Sequence, residues 1–393
     1  MSLLWVPLAL GVLWGFGAFV VASVAITRRW AMARRPASQP IVDPQTPMVL
    51  LRPCAGSEIW LSHTLASAGA AEVSGPLIYR VTVADPEDAA RPIAEQVCAD
   101  LRGQGMDAQV WVVDVGEAPN HKAAQIAQAI ARLDAPCWVL SADSDVDLTG
   151  VDLEGLRRLA GDGVAWMPPA ERGPVNSWGD RASQAWLGAS LHAFPLLSAI
   201  DPQGLVGKLF ALSPAAVQAL EGFAPLVDYL GEDMELSRRV QAAGLSVSPS
   251  TEVVPAVTHG RTLKGIIGRY SRWLTVIRAQ RPALLITYPL FFFPLWPVTV
   301  LLALGASAAP SVALTAWSVL ALNRLAVAAA ARRFARRPLQ PWCWPMDVAL
   351  SELALTASFL KALRSRSVVW RGRRLRIDPS GRLWPDPSTS GAP

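Results

Sequence analysis

Three acidic groups and one basic–aromatic group have residue types and spacings suited to phosphate chemistry. Asp85 follows the run LIYRVTVA in the string ADPEDAA, and Asp143 and Asp145 follow CWVLSA in the string SADSDVD. An Asp-x-Asp just past a strand can put two carboxylates near one divalent cation. Mg2+ and Mn2+ take such oxygens and bridge well to a diphosphate. An Asp-rich surface turn is the simpler account of the same residues. Glu232 and Asp233 open the stretch EDMELSRRVQAAG, in which Leu236, Val240 and Ala243 recur at helical spacing. Both acids then fall in a first helical turn, which also favours acids for purely structural reasons. Arg269, Arg272 and Trp273, in RYSRW, lie at i, i+3 and i+4, one face of a helix. Forked guanidinium groups suit diphosphate oxygens. The same residues ahead of an apolar segment also make an ordinary membrane-interface anchor.

The elements around these residues read as α/β. From about residue 47 to 257, short β-rich runs alternate with helical stretches. The expected strands are 48–52, 77–84, 108–113, 137–142, 164–168, 208–213 and a run near 245–254. Helices are expected at 86–102, 121–133, 151–160 and 213–221. In an open α/β sheet, ligands collect at the carboxyl ends of the strands, where Asp85, Asp143 and Asp145 stand. Residues 36–46 read as a linker and 385–393 as a disordered tail.

The flanks read as membrane segments. The 393 residues are 52% hydrophobic and 17% charged. Residues 3–26 carry no charge and would rise ~36 Å as a helix, enough to cross a bilayer core. A retained anchor fits better than a cleaved signal peptide, because the run is long and its positive charges come after it. Arg28, Arg29, Arg34 and Arg35 then put the next domain in the cytoplasm. Residues 283–306, with prolines at 289, 294 and 297, and residues 311–330 make a second and third candidate span. The segment 346–360 contains Asp347 and Glu352 between basic clusters, so it reads as an interfacial or re-entrant helix, with a core helix as the plainer alternative. The expected organisation is an anchor at 1–28, a catalytic domain at 45–281, a helix pair at 282–332, an interfacial helix at 345–363 and a basic tail at 364–393. The net charge is +5, and the basic clusters at 28–35, 331–337 and 364–376 lie beside apolar runs. They point to a membrane surface rather than nucleic acid. Cys54, Cys98, Cys137 and Cys343 form no CxxC pair, so no zinc or redox site is expected.

In this order and spacing the motifs resemble glycosyltransferase family 2-type enzymes, with three aspartate motifs followed by (Q/R)xxRW. The closer resemblance is to ceramide glucosyltransferases and hopanoid-associated glycosyltransferases. LLRPCAG is similar to the family's KPLKG, with Ala55 at the usual second lysine. PNHKAAQIAQAI, VGKLFALSPAAVQALEGF and the tail's WRGR are similar to further family segments. The second motif reads DSD, as in bacterial relatives, where animal enzymes have DSG. His192, in WLGASLHAF, loosely matches a family histidine, and a buried structural histidine explains it equally well.

The resemblance implies a GT-A fold, a Rossmann-like nucleotide-sugar domain with N-terminal and C-terminal transmembrane helices. It implies Asp85 at the nucleoside, Asp143 and Asp145 at the diphosphate directly or through Mg2+ or Mn2+, and Lys122 adding positive charge nearby. Asp233 would be the general base, Arg269 and Arg272 would bind the diphosphate, and Trp273 would stack near the acceptor. The implied activity is inverting transfer of a hexose, glucose first, from a UDP-sugar to the hydroxyl of a membrane lipid such as ceramide. The enzyme would be a multi-pass protein of a bacterial-type inner or plasma membrane. The alternatives are a hopanoid glycosyltransferase using a UDP-N-acetylhexosamine, a polysaccharide synthase, which needs more spans, and a non-catalytic relative.

Overall fold

A computed structural model describes residues 2–34, 46–339, 341–365, 367–370 and 373–385. The expected linker, apart from Thr46, and the expected tail, apart from Pro385, lie outside the described residues, as do Arg371 and Gly372 of WRGR. The chain divides into two compact units. One gathers the described residues of Met1–Arg35, Ala170–Asp201 and Thr258–Arg366, and the other those of Pro36–Pro169, Pro202–Val257 and Ser367–Pro393.

The second unit is a mixed α/β body. Its seven-stranded sheet consists of β1 (Met48–Cys54), β2 (Leu77–Val83), β3 (Asp107–Val112), β4 (Trp138–Ala142), β5 (Val164–Trp166), β6 (Leu209–Leu212) and β7 (Val247–Pro249), in the order β3-β2-β1-β4-β6-β5-β7. β1, β2, β3 and β4 are parallel, and β6 runs antiparallel between β4 and β5. All seven residues of β1 are buried, as a central strand covered on both faces requires. Alternate side chains feed two cores. Leu50 joins Tyr79, Val81 and Leu140 on one face, and Val49 and Leu51 join Val139 and Ile126 on the other. The chain winds outward from β1 to β3 and returns to β4 on the other side of β1. That leaves a topological switch between β1 and β4, the usual place for a ligand crevice.

Helix α1 (His121–Ala131) is capped by Asn120, whose Oδ1 accepts from the Ala123 N–H at 3.0 Å. Helix α2 (Glu232–Ala242) starts with Glu232, Asp233 and Glu235 in its first turn. The unit ends in a small antiparallel sheet of β8 (Ser367–Trp370), β9 (Arg373–Ile377) and β10 (Leu383–Pro385).

The first unit is helical. Two of its helices, Trp5–Arg34 and Pro310–Phe334, are long and apolar enough to cross a membrane. A third candidate is the pair Pro282–Phe292 and Leu295–Gly305, bent by 58° at Phe293-Pro294. Gly305 packs so closely on the N-terminal helix that a Cβ there would lie 2.6 Å from the Leu8 Cβ. Such close helix packing is a common use of small residues in apolar helices. The bend leaves backbone groups unpaired, and an ion pair serves them. Arg324 donates to the Phe292 carbonyl at 3.0 Å, and Glu352 accepts from the Leu295 N–H at 2.8 Å. The two charges meet at 2.9 Å with neither side chain exposed. The expected segment 346–360 is the helix Trp344–Arg364. Its buried face includes Asp347 and Glu352, and Asp347 pairs with Arg181 at 2.8 Å and with Arg332.

Candidate active site

The acids of the second and third motifs meet in the α/β unit around two lysines. Asp143 leaves β4 at its carboxyl end, and Lys208 stands opposite because β6 pairs antiparallel with β4. The register Ala142–Leu209 is continued by the Asp143 N–H donating to the Lys208 carbonyl at 2.9 Å. The Lys208 ammonium lies 3.0 Å from Asp143 Oδ2 and 2.6 Å from Asp145 Oδ1. The Lys122 ammonium, in the first turn of α1, lies 2.7 Å from Asp143 Oδ1 and 3.1 Å from Glu232 Oε1. It also donates to the Gly207 carbonyl at 2.8 Å. The Gly207 N–H in turn donates to Asp233 Oδ2 at 3.1 Å, and Asp233 Oδ1 accepts from the Met234 N–H at 2.8 Å. A Cβ on Gly207 would lie 3.2 Å from the Asp233 Cβ and 3.3 Å from Lys122 Nζ, so the tight approach favours glycine.

Three further side chains hold this arrangement. Arg52, fully buried in β1, donates to the carbonyls of Val146 at 2.9 Å and Thr64 at 3.1 Å. The Thr64 hydroxyl donates to the Ser144 carbonyl at 2.6 Å, so the DSD loop is tied from beneath. Asn120 Nδ2 donates to the Tyr229 carbonyl at 2.8 Å and to Glu232 Oε2 at 3.0 Å, which joins α1 to the start of α2.

Electrostatics set the two aspartates apart. Burial opposes ionisation of Asp143, but Lys122 and Lys208 outweigh it and hold the carboxyl far below the ordinary range. Burial also opposes the charge on Lys122, and Asp143 and Glu232 override it, so the ammonium stays charged. Asp233 goes the other way. Burial and the neighbouring Glu232 push it up to about 6, against the pull of Lys122 and two backbone N–H groups. Asp85 stands just past β2, exposed, with Oδ1 accepting from the Glu87 N–H at 2.9 Å. It shares the carboxyl edge with Asp143, one strand removed across β1.

The remaining expected residues belong to the helical unit. Arg269 and Trp273 share a helix face as the spacing requires, the guanidinium 5.0 Å from the ring centre. Arg269 also pairs with buried Glu171 at 3.4 Å. Burial, then the charge of Arg269, lowers the Arg272 pKa. His192 is buried, its ring stacked on Trp273 at 6.2 Å and its Nε2 3.2 Å from the Tyr288 hydroxyl. Burial pushes it down to about 4, so it is neutral near pH 7. The same rings would make an ordinary aromatic core.

The family model for glycosyl transferase family 21 matches residues 12–383. The chain belongs to this family. No curated protein matches the chain. Among solved structures, the mannosyltransferase PcManGT from Pyrobaculum calidifontis, in complex with GDP-Man and Mn2+, is 17% identical with a TM-score of 0.55. That match covers 91% of this chain and 99% of the other. S. aureus TarS 1–349 is 13% identical with a TM-score of 0.36, covering 86% of this chain and 99% of the other. The first of these likenesses establishes the GT-A-like fold, and family membership makes the protein a glycosyltransferase.

This family 21 chain holds oxygen donors of the kind a divalent cation takes. Asp143 and Asp145 both reach one ammonium, that of Lys208, so their carboxylates converge on a single positive charge. Among the described residues no three His, Cys, Asp or Glu side chains gather as a metal cluster. Mg2+ and Mn2+ are commonly held by one or two carboxylates, with phosphate and water completing the shell, so the pair fits such an ion. Sequence reasoning missed Lys208, Asn120, Arg52 and Gly207. All four lie in the family-like segments LLRPCAG, PNHKAAQIAQAI and VGKLFALSPAAVQALEGF, but nothing in those segments alone gave them a role.

Proposed function

We propose that this family 21 enzyme transfers a hexose, glucose first, from a UDP-sugar to the hydroxyl of a membrane lipid of the ceramide type, with inversion. The observation that carries the reading is the Lys122–Asp143–Lys208–Asp145 cluster beside an Asp233 whose proton affinity is raised towards neutrality. A lipid hydroxyl is a poor nucleophile until a carboxylate takes its proton as the new bond forms. Asp233 is oriented for that by two backbone N–H groups and sits in the right range to accept it. A single displacement then inverts the anomeric centre.

The leaving nucleoside diphosphate gains negative charge as the sugar departs. Among the described residues, Glu232, Asp143 and Asp145 pair with the two ammonium groups of Lys122 and Lys208, so a diphosphate needs further positive charge to enter. Mg2+ or Mn2+ held by Asp143 and Asp145 would supply it and stabilise the leaving oxygens. Lys122 and Lys208 keep Asp143 ionised, and Lys208 holds both aspartates in place for that role. Asp85 is placed by this reading at the nucleoside end of the donor. For Arg269, Arg272 and Trp273 a part in diphosphate and acceptor binding rests on the family pattern alone, and the same holds for His192.

Apolar helices suit the acceptor. A two-chain lipid has negligible monomer solubility, since each buried methylene contributes about 0.8 kcal/mol. The basic clusters after the apolar segments favour a cytoplasmic catalytic unit. The second reading, a hopanoid acceptor with UDP-N-acetylhexosamine, is favoured by the DSD form of the second motif. The test incubates membranes with a panel of UDP-sugars and with ceramide or hopanoid acceptors supplied separately, followed by mass analysis of the lipids. Glucosylceramide as product supports the first reading. An aminohexosyl hopanoid supports the second, and no glycolipid from any pair defeats both.

A further inference from the structure

The small C-terminal sheet takes no part in the chemistry above, yet its contacts run to the backbone just ahead of Glu232 and Asp233. Val368, Leu375 and Leu383 are buried, with Leu230 packed against them. The Leu383 N–H donates to the Asp228 carbonyl at 2.7 Å. Arg382 forms an isolated antiparallel bridge with Tyr229, and its Nε donates to the Tyr229 hydroxyl at 3.2 Å. Its guanidinium also lies 5.7 Å from the centre of the Tyr229 ring. Three consecutive residues, Asp228, Tyr229 and Leu230, are thus each held by the sheet. From the opposite direction, Asn120 holds the Tyr229 carbonyl and Glu232. Only Gly231 separates the held segment from Glu232.

The chain enters this segment from a strained turn. Upstream, Glu221, Gly222 and Phe223 all have positive φ, at 52°, 71° and 79°. Two of the three are not glycine, a conformation that persists only where surrounding contacts impose it.

We propose that the C-terminal sheet is a clasp that positions Asp233, with Arg382 and Leu383 as positioning residues acting through Tyr229 and Asp228. The proposal rests on the reading of Asp233 as the base. A base displaced by about 1 Å can cost about a hundredfold in rate while donor affinity survives. The clasp would therefore control turnover rather than donor binding.

The test uses the full-length protein in detergent or membranes, with turnover normalised to sites that bind UDP. Leu383→Glu puts a charge into the contact with Leu230. It is expected to lower kcat at least about tenfold with the donor KM within about twofold. Amide hydrogen exchange should rise across 228–235 and stay unchanged in β4. Arg382→Ala is expected to cause a smaller fall in kcat, partly restored by Arg382→Lys, and it decides the matter if Leu383→Glu does not fold. Release of residues 373–385 in the exchange data with kcat unchanged overturns the proposal, as does an Arg382→Ala enzyme unchanged in both exchange and kcat. Asp233→Asn is measured in parallel. Full turnover in that variant defeats the reading of Asp233 itself, and the clasp on the 228–231 segment is then judged by exchange alone.

Discussion

Replacing Glu232 by Gln should move the acid limb of the pH–rate profile downward. Asp233 is pushed up to about 6 by burial first and by the charge of Glu232 second. Taking roughly 6 Å between neighbouring carboxylates and an effective dielectric of about 20, the repulsion is near 3 kcal/mol, or about two pH units. Glu232 is 12% exposed and shares its charge with Lys122 at 3.1 Å, so about half of that should be realised. The substitution also frees Lys122 to lean towards Asp233, which acts in the same direction. In the parent enzyme, kcat/KM should rise with unit slope below about pH 6 and level off above it, because the base works only when deprotonated. In Glu232→Gln the bend should fall by about one pH unit. The assay follows release of the nucleoside diphosphate across pH 4.5–8 at subsaturating donor. Asp233→Asn supplies the reference, with a fall of about a hundredfold or more and no acid limb. A limb that stays in place or moves upward in Glu232→Gln would refute the electrostatic account of this site.

Other consequences follow from the same contacts. Lys208→Met leaves Asp143 and Asp145 without the cation they share, which should cost about 1–3 kcal/mol of stability. Added Mn2+ should restore the lost thermal stability more in this variant than in the parent, as a thermal-shift measurement would show. Gly207→Ala would force the groups 3.2 and 3.3 Å away to move, so activity should fall about tenfold or more with little change in melting temperature. Glu352→Gln leaves Arg324 charged and buried at the helix bend, with a loss of about 3–5 kcal/mol. Heat inactivation in detergent should show it, and Arg324→Met with Glu352→Met together should cost less than Glu352→Gln alone.

The parts of this protein that could be read from sequence are those whose signal is local. β1 and β4 announce themselves as apolar runs, and the acids just past β2 and β4 are legible because a strand end fixes where its next residue goes. Glu232 and Asp233 are legible for a similar reason, as the first turn of an amphipathic helix. Lys208 was not legible, because its role comes from a pairing direction. Had β6 run parallel to β4, residue 208 would lie at the opposite edge of the sheet, and Leu212 would stand beside Asp143. The antiparallel register, with Ala142 opposite Leu209, brings the lysine to the aspartates. Asn120 likewise reads as an ordinary helix cap, and only the return of the chain at Tyr229 gives its amide a second task. The segment 346–360 reads equally as an interfacial or a core helix, because its two acids and flanking basic clusters show no partners in the sequence. The acids' partners, Arg181, Arg324 and Arg332, come from other helices. In each case the residue type was visible and the partner was not. Chemistry in this fold therefore depends on the few non-local pairings that turn an acid at a strand end into a held carboxylate.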